Sequence, residues 1–245
     1  MNTTPPPGGR SGGTRGVALV TGASRGLGRA IAECLAPDHR LLLGGRDRAA
    51  LGEQAAALPD AEPFVADLAD PGAVGRAVDS AFGGGARLDV LVHCAGIAGR
   101  GTVATTSREE WRRMLEVDVV AVADLTRRLL PRLRASRGLV VLVNSGAGLV
   151  PSPGNAAYSA AKHALRGLGD ALREEERGLV RVTSVHPGRI DTGMQRALQA
   201  QDGRAYDPSE HMDPTDVART VRLAVDMPAD ACVEDLRVRP WNPRA

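Results

Sequence analysis

Short apolar runs alternate with segments of helical periodicity along most of the chain. The runs are rich in Val and Leu and are bounded by glycine or polar residues, which is typical of buried strands. They cover residues 16–20, 41–44, 63–66, 88–93, 139–144, 181–186 and 232–238. Apolar residues at helical spacing predict a helix after residue 28 and further helices over 49–58, 72–82, about 107–134 and 155–177.

Strands that alternate with helices predict βαβ units, in which neighbouring strands run parallel and the crossovers are right-handed. The expected fold is α/β with a mainly parallel central sheet. No linker interrupts the alternation, so residues 16–245 are expected to form one domain. Residues 1–15 are rich in Pro, Gly and Ser, which favours a disordered tail. The charged, irregular stretch from about 193 to 214 is expected to be a lid over a substrate site.

Composition argues against several classes of function. The net charge of the 245 residues is +2 and no basic patch with interleaved aromatics occurs, so no nucleic-acid partner is expected. No apolar run has membrane length and the N-terminus lacks a hydrophobic signal segment, so we expect a cytoplasmic protein without a membrane partner. The three widely spaced cysteines predict buried thiols in a reducing compartment. The five histidines lack metal-ligand spacing, so no metal site is expected.

A glycine-rich turn follows the first predicted strand directly. Residues 21–28 read TGASRGLG, and helical spacing begins after them. Glycines let the backbone approach a pyrophosphate, while the helix N-terminus offers N–H donors and the positive end of the helix dipole. The spacing is G-x-x-x-G-x-G, which differs from the general dinucleotide fingerprint. Such a turn alone is as often structural as functional, and its place after the first strand is what indicates a dinucleotide site.

The residues after the second strand bear on which nicotinamide dinucleotide is bound. An acidic residue there would bind the ribose hydroxyls and select NAD. This chain has Arg46 there and Arg25 in the glycine-rich turn, so two guanidinium groups can bind a 2′-phosphate, and we expect NADP. The alternative is that both are ordinary surface arginines and that Asp47 selects NAD.

Tyr158 and Lys162 form the main candidate for catalysis. Lys162 is the single lysine among 31 Lys and Arg residues, and on a helix it shares a face with Tyr158. An ammonium beside a phenol stabilises the phenolate, so the phenol can act as a general acid or base. Ser145 follows a predicted strand and can donate a hydrogen bond to a substrate oxygen. The alternative, a packing tyrosine beside a solvated lysine, is commoner for a Tyr-x-x-x-Lys pair taken alone.

Taken together, these residues resemble the short-chain dehydrogenase/reductase family from Val17 to about Pro240. The resemblance assigns catalytic positions to Ser145, Tyr158, Lys162 and Asp118. The expected cofactor contacts are Gly22, Ser24, Arg25, Gly26, Leu27, Gly28, Arg46, Asp67, Leu68, Ala95, Gly96, Tyr158, Lys162, Pro187, Gly188, Ile190 and Thr192. The chain departs from the family pattern at Cys94 and at Asp118, where the family has asparagine.

The resemblance implies a Rossmann-type, doubly wound three-layer sandwich. It also implies hydride transfer between NADP(H) and the carbon of a small carbonyl compound or secondary alcohol. Ser145 would bind the carbonyl oxygen, Tyr158 would protonate it, and Lys162 would tune Tyr158 and position the nicotinamide ribose. Asp118 would support catalysis through its main-chain carbonyl and hold Lys162 charged. A homodimer or homotetramer would form through the helix over 111–133 and the helix of Tyr158.

Other functions stay open at this stage. A non-catalytic NADP(H)-binding sensor would keep the glycine-rich turn but would not need Tyr158 and Lys162. An NAD-dependent alcohol dehydrogenase would rely on Asp47. A structural or interaction domain would need none of these residues. An epimerase or dehydratase that uses the nicotinamide transiently is a further alternative, although such relatives are usually longer at the C-terminus.

Overall fold

The computed structural model describes residues 15–203 and 205–241. The predicted tail over residues 1–15 therefore lies outside the described residues except for Arg15. Arg204 of the predicted lid and residues 242–245 of the predicted domain also lie outside them.

Seven strands of the described chain form one parallel sheet in the order β3-β2-β1-β4-β5-β6-β7. They are β1 (Gly16–Thr21), β2 (His39–Gly45), β3 (Ala61–Val65), β4 (Val90–His93), β5 (Leu139–Val143), β6 (Arg181–Pro187) and β7 (Asp235–Val238). The strand order changes direction between β1 and β4, which is the topological switch point where ligands of such sheets bind. The predicted parallel α/β fold is confirmed.

The described residues also form eight α-helices. These are α1 (Gly26–Leu35), α2 (Arg48–Ala56), α3 (Pro71–Phe82), α4 (Arg108–Leu115), α5 (Ala121–Ser136), α6 (Ala156–Glu175), α7 (Gly193–Gln201) and α8 (Pro214–Asp226). A π-helical turn, Glu116–Val120, joins α4 to α5, and 3₁₀ turns occupy Gly146–Gly148 and Pro208–Glu210.

Two apolar cores lie on opposite faces of the sheet, because successive strand residues point to opposite sides. Val20 belongs to the core that packs against α1, α2 and α8. Its neighbour Leu19 belongs to the core that packs against α3, α5 and α6. This arrangement is the three-layer, doubly wound sandwich that the sequence predicted.

Two helices lie where the pattern of apolar residues predicted none. The first nine residues of the predicted lid form α7, which begins where the Thr192 side chain accepts a hydrogen bond from the backbone N–H of Gln195. The helix α8 begins after Asp213, whose side chain caps it, with Pro214 at its first position. The lid is therefore partly regular structure.

Other boundaries and one expectation about the cysteines also need correction. The helix predicted to reach residue 177 ends at Glu175, and the strand predicted over 232–238 begins at Asp235. Val233 accepts a hydrogen bond from the Thr183 hydroxyl, 2.6 Å away, so it lies beside the sheet without being part of β7. Cys232, in this segment, is exposed, so the expectation of buried thiols is wrong for it, while the residues Cys34 and Cys94 are of intermediate exposure.

None of the helices in the described part of the chain is long and apolar enough to cross a membrane. Within residues 15–203 and 205–241, no group of three or more His, Cys, Asp or Glu side chains is arranged to hold a metal ion.

Candidate active site

One large cavity opens at the C-terminal ends of β1, β2, β4, β5 and β6, with a volume of about 1660 Å³. Every residue that the family resemblance assigned to catalysis or cofactor contact lines it. These are Gly22, Ser24, Arg25, Gly26, Leu27, Gly28, Arg46, Asp67, Leu68, Ala95, Gly96, Asp118, Ser145, Tyr158, Lys162, Pro187, Gly188, Ile190 and Thr192. Residues spread over most of the chain thus face one space.

The glycine-rich turn after β1 is packed too closely to admit a side chain at Gly22 or Gly28. Gly22 has φ +69°, and a Cβ there would lie 2.9 Å from the backbone of Ala95. A Cβ at Gly28 would lie 2.2 Å from the carbonyl oxygen of Gly22. Arg25 precedes α1 and makes no side-chain capping hydrogen bond within the described residues, so it leaves the first N–H groups of the helix to a ligand. This cradle fits a pyrophosphate, the anion that helix N-termini bind.

Thr21 fixes the wall opposite the glycine-rich turn and was missed in the sequence. Its hydroxyl oxygen accepts hydrogen bonds from the backbone N–H groups of Cys94 and Ala95, at 3.0 and 3.1 Å, and its O–H is 3.3 Å from the carbonyl of Val92. A hydroxyl at the end of the strand, just before Gly22, was the available signal. Burial raises the pKa of the Cys94 thiol to about 12, against the opposing charge of Lys162, so the sulfur stays protonated at neutral pH.

Arginines border the cavity at the end of β2. Arg46 is 70% exposed, and its Nη1 lies 3.8 Å from Oδ2 of Asp67. Arg25 lines the cavity as well. Asp47, the residue that could select NAD, instead accepts a hydrogen bond from the backbone N–H of Ala50 at 3.1 Å and thereby caps α2. The guanidinium groups of Arg25 and Arg46 are thus the positively charged groups at this edge that can bind a phosphate.

Tyr158 and Lys162 lie near the N-terminal end of α6, as the helical spacing predicted. The Lys162 Nζ lies 5.8 Å from the centroid of the Tyr158 ring and 3.4 Å from the backbone oxygen of Val143. Ser145 follows β5, and its Oγ accepts a hydrogen bond from the backbone N–H of Ala147 at 3.1 Å, which leaves its own O–H free to donate. Asn144 supports it, because its Oδ1 accepts from the Ser145 N–H at 2.9 Å.

Asp118 lies on the π-helical turn and forms a buried ion pair with Lys162. The Asp118 Oδ1 is 2.9 Å from Nζ, and the two side chains are 0% and 7% exposed. The Asp118 Oδ2 accepts a hydrogen bond from the N–H of Ile97 at 3.3 Å. A Cβ at Gly96 would lie 2.6 Å from Oδ1, so a glycine is needed there to make room for the pair. π-Helical turns occur frequently at functional sites.

The charge of Lys162 follows from this pairing. Burial of the ammonium opposes its charge, but the Asp118 carboxylate and, more weakly, Tyr158 outweigh that penalty and raise the pKa of Lys162. Because the Asp118 Oδ1 lies 2.9 Å from Nζ, this buried carboxylate oxygen is occupied by the ammonium of Lys162.

Arg100 joins three segments around the mouth of the cavity and was also missed in the sequence. Its guanidinium lies 2.8 Å from Asp202, after the end of α7, and donates a hydrogen bond to Asn155 before α6. The ion pair therefore ties the predicted lid to Arg100, and the hydrogen bond from Arg100 to Asn155 connects it to the start of α6. A lone arginine in a loop offers no sequence signal for a partner 102 residues away.

Comparison with known proteins gives a consistent result. A family model described as short chain dehydrogenase matches residues 16–203. The short-chain type dehydrogenase/reductase y4eK of Sinorhizobium fredii is 36% identical over 233 residues, which cover 91% of each chain. A solved alcohol dehydrogenase from the archaeon Thermococcus sibiricus, complexed with 5-hydroxy-NADP, is similar with a TM-score of 0.86 and 27% identity over 94% of this chain and 99% of its own. A solved 3-ketoacyl-(acyl-carrier-protein) reductase from Brucella melitensis, complexed with NADH, is similar with a TM-score of 0.83 and 25% identity. The match covers 91% of this chain and 96% of the reductase.

Proposed function

The chain belongs to the short-chain dehydrogenase/reductase family, and from that premise we propose that it is an NADP(H)-dependent oxidoreductase with Tyr158 as general acid and base. Family membership makes it an oxidoreductase that acts on CH–OH or C=O groups with a nicotinamide cofactor. The proposal adds the choice of NADP(H), the catalytic residues and a small carbonyl or alcohol substrate. The observation that carries it is the shared cavity in which Tyr158, Lys162 and Ser145 face the glycine-rich turn and two arginines.

Tyr158 and Ser145 both act on one substrate oxygen, and Lys162 acts on Tyr158. When bound, the cofactor supplies or accepts the hydride at the carbon that bears this oxygen. Tyr158 gives the oxygen its phenol proton in the reducing direction, and Ser145 donates a hydrogen bond to it as negative charge develops. Lys162 holds a positive charge 5.8 Å from the phenol ring, which favours the phenolate that Tyr158 becomes.

Asp118 supports this chemistry as a positioning residue. Its carboxylate balances the buried ammonium of Lys162 at 2.9 Å and thereby holds Nζ beside Tyr158. A buried lysine without such a partner would favour its neutral form. The family's asparagine lacks this negative charge, so the balance of charges around the phenol departs from the family pattern.

The charged groups at the end of β2 support NADP(H) over NAD(H). Arg25 and Arg46 line the cavity, and guanidinium groups bind phosphate oxygens with two parallel hydrogen bonds. The Asp47 carboxylate is occupied by the cap of α2. Solved relatives carry either type of cofactor, as the complexes with 5-hydroxy-NADP and NADH show for those proteins, so the local arginines are what favour NADP(H) here.

Three wider features complete the proposal. One sheet includes strands from both ends of the described chain, which supports a single domain over residues 16–245. The segment 193–214 would act as the substrate lid, which the Arg100–Asp202 ion pair tethers. A homodimer or homotetramer would pair through α4, α5 and α6, and the exposed Leu115 and Val120 on this surface are consistent with a covered face.

Titration of the purified protein with NADPH and, separately, NADH tests the proposal. We expect NADPH to bind more tightly, and we expect Arg25→Ala/Arg46→Ala to weaken NADPH binding about 10- to 100-fold while NADH binding stays unchanged. Arg48→Ala is the matched control, because Arg48 is exposed and adjacent but does not line the cavity. A preference for NADH would contradict the arginine site, and binding of neither would contradict the oxidoreductase assignment of this site.

A further inference from the structure

We propose that His186 is a positioning residue that fastens the Ser145 turn to strand β7, and that it does so fully only when its imidazole carries two protons. The inference rests on the role proposed above for Ser145. It concerns residues outside the catalytic set, and no feature of the sequence had indicated it.

The imidazole of His186 lies between two oxygen atoms. His186 belongs to β6 and is 1% exposed. Its Nδ1 is 3.3 Å from the backbone carbonyl oxygen of Ser145, and its Nε2 is 2.9 Å from Oδ1 of Asp235 on β7. The ring, on β6, therefore connects the first residue of the edge strand β7 to the turn after β5 that carries Ser145.

Both partners of this ring are hydrogen-bond acceptors. A carbonyl and a carboxylate cannot donate, and a neutral imidazole has only one N–H. A neutral His186 can therefore satisfy one oxygen, while its bare ring nitrogen faces the lone pairs of the other. The doubly protonated imidazolium donates to both, and it also forms an ion pair with Asp235.

His93 shows what the chain does with a buried neutral histidine. Its Nε2 lies 2.8 Å from the hydroxyl of Thr126, a group that can either donate or accept. Burial lowers the pKa of His93 to about 3, so the ring is neutral at any physiological pH. His186 differs because it is buried between two groups that can only accept.

A hydrogen bond to the Ser145 carbonyl oxygen fixes the position of the turn that carries the Ser145 hydroxyl. This oxygen also accepts the N–H of Gly148 at 3.0 Å, which closes the turn that carries the catalytic hydroxyl. Asp235 begins β7, and the chain continues from β7 into Arg239 and Pro240, which line the cavity. His186 thus ties the turn of Ser145 to the strand that leads into another wall of the same site.

Other charged groups lie on the strand and the helix that pack against the ring. Arg237 on β7 is the register partner of His186, and the guanidinium of Arg239, just after β7, lies beside Gly146. Both carry a positive charge and therefore disfavour a positively charged ring. The helix α6 on this face carries Lys162, which Asp118 neutralises, and Asp170, which pairs with Arg173 at 2.9 Å and with Arg166 at 3.8 Å. Asp235 is the group that favours the imidazolium, so removing its charge should neutralise the ring.

Nitrogen NMR of the full chain labelled with ¹⁵N-histidine tests the proposal without a substrate. His186→Gln assigns the signal, and Asp235→Asn removes the charge at a partly exposed position without removing volume. At about pH 6 we expect His186 to show the two similar nitrogen shifts of an imidazolium in the wild type and the neutral pattern in Asp235→Asn, while His93 stays neutral in both. A neutral His186 in the wild type, or an imidazolium that survives in Asp235→Asn, would overturn the proposal.

Kinetics provide the functional arm. In the wild type, kcat should fall as pH rises through the deprotonation of His186, because the turn then loses one of its two anchors. Asp235→Asn should remove that fall with the affinity for NADPH unchanged, because the asparagine amide can donate to Nε2 and leave the Nδ1–H to the Ser145 carbonyl at any pH. A pH profile of Asp235→Asn that parallels the wild type would count against the proposal. If no substrate turned over, the proposed function would fail while the NMR result would still decide the protonation of His186.

Discussion

The two ends of the cavity are built in opposite ways. The end that would hold the cofactor phosphates consists of consecutive backbone, from Gly22 to Gly28, bordered by exposed arginines. The end proposed for catalysis consists of side chains from a π-helical turn, a strand end and a helix, and its central pair, Asp118 and Lys162, is buried. At the first end the critical quantity is space, because no Cβ fits at Gly22 or Gly28. At the second it is the balance of charge, because buried charges interact strongly.

This difference predicts different consequences of small substitutions. Adding one methyl group should disable the phosphate end, where the backbone approaches itself closely. Exchanging one oxygen for nitrogen should leave the shape of the catalytic end intact and change the pH at which it works. The following two predictions test each half of the comparison, beginning with the larger effect.

Gly28→Ala should abolish detectable tight binding of NADPH, with a loss of at least about 100-fold in affinity. Its Cβ would lie 2.2 Å from the Gly22 carbonyl oxygen, so the turn must open, at a cost of roughly 1–3 kcal/mol in the free energy of unfolding. Gly52→Ala is the matched control, since its Cβ meets nothing within 4 Å in α2 and the change should slightly raise helix stability. Calorimetric titration and thermal unfolding measure both effects. Wild-type affinity in Gly28→Ala would break the steric half of the comparison.

Asp118→Asn should shift the pH profile of alcohol oxidation to higher pH by about one unit. The Asp118 carboxylate raises the pKa of the buried Lys162 ammonium, so without it Lys162 favours its neutral form and the Tyr158 phenolate that oxidation needs loses the positive charge that stabilises it. The same change should let carbonyl reduction persist to higher pH, because reduction needs the protonated phenol.

Asp124→Asn is the control for that variant. Asp124 lies on α5 six residues later, and its carboxylate pairs with Arg127 and Arg128 outside the cavity. Its pH profile should match the wild type. Superimposable profiles for Asp118→Asn and the wild type would show that the buried carboxylate does not affect Tyr158, and the electrostatic half of the comparison would fail.

The same contrast explains what the sequence could predict. The glycine-rich turn and the Tyr158–Lys162 pair depend on residues that are close in sequence, so spacing and strand patterns were enough. The helix caps at Thr192 and Asp213 were also local signals, and attention to them would have predicted α7 and α8.

Contacts across long sequence separations could not be predicted in this way. Asp118 and Lys162 are 44 residues apart, and only the family resemblance brought them together. His186 and Asp235 are 49 residues apart, and Arg100 and Asp202 are 102 apart. Such pairs depend on strand order and register, which hydrophobic periodicity does not contain.

Transfer of deuterium from NADPH labelled at the transferable C4 position tests the central claim most directly. The protein would be incubated with the labelled cofactor and a panel of small aldehydes and ketones, and the alcohols analysed by mass spectrometry. We predict deuterium on the carbinol carbon of at least one product with the wild type. With Tyr158→Phe, which should still bind NADPH, the rate should fall at least about 100-fold. NADPH that binds but delivers no deuterium to any carbonyl, or delivery that Tyr158→Phe leaves unchanged, would contradict the account.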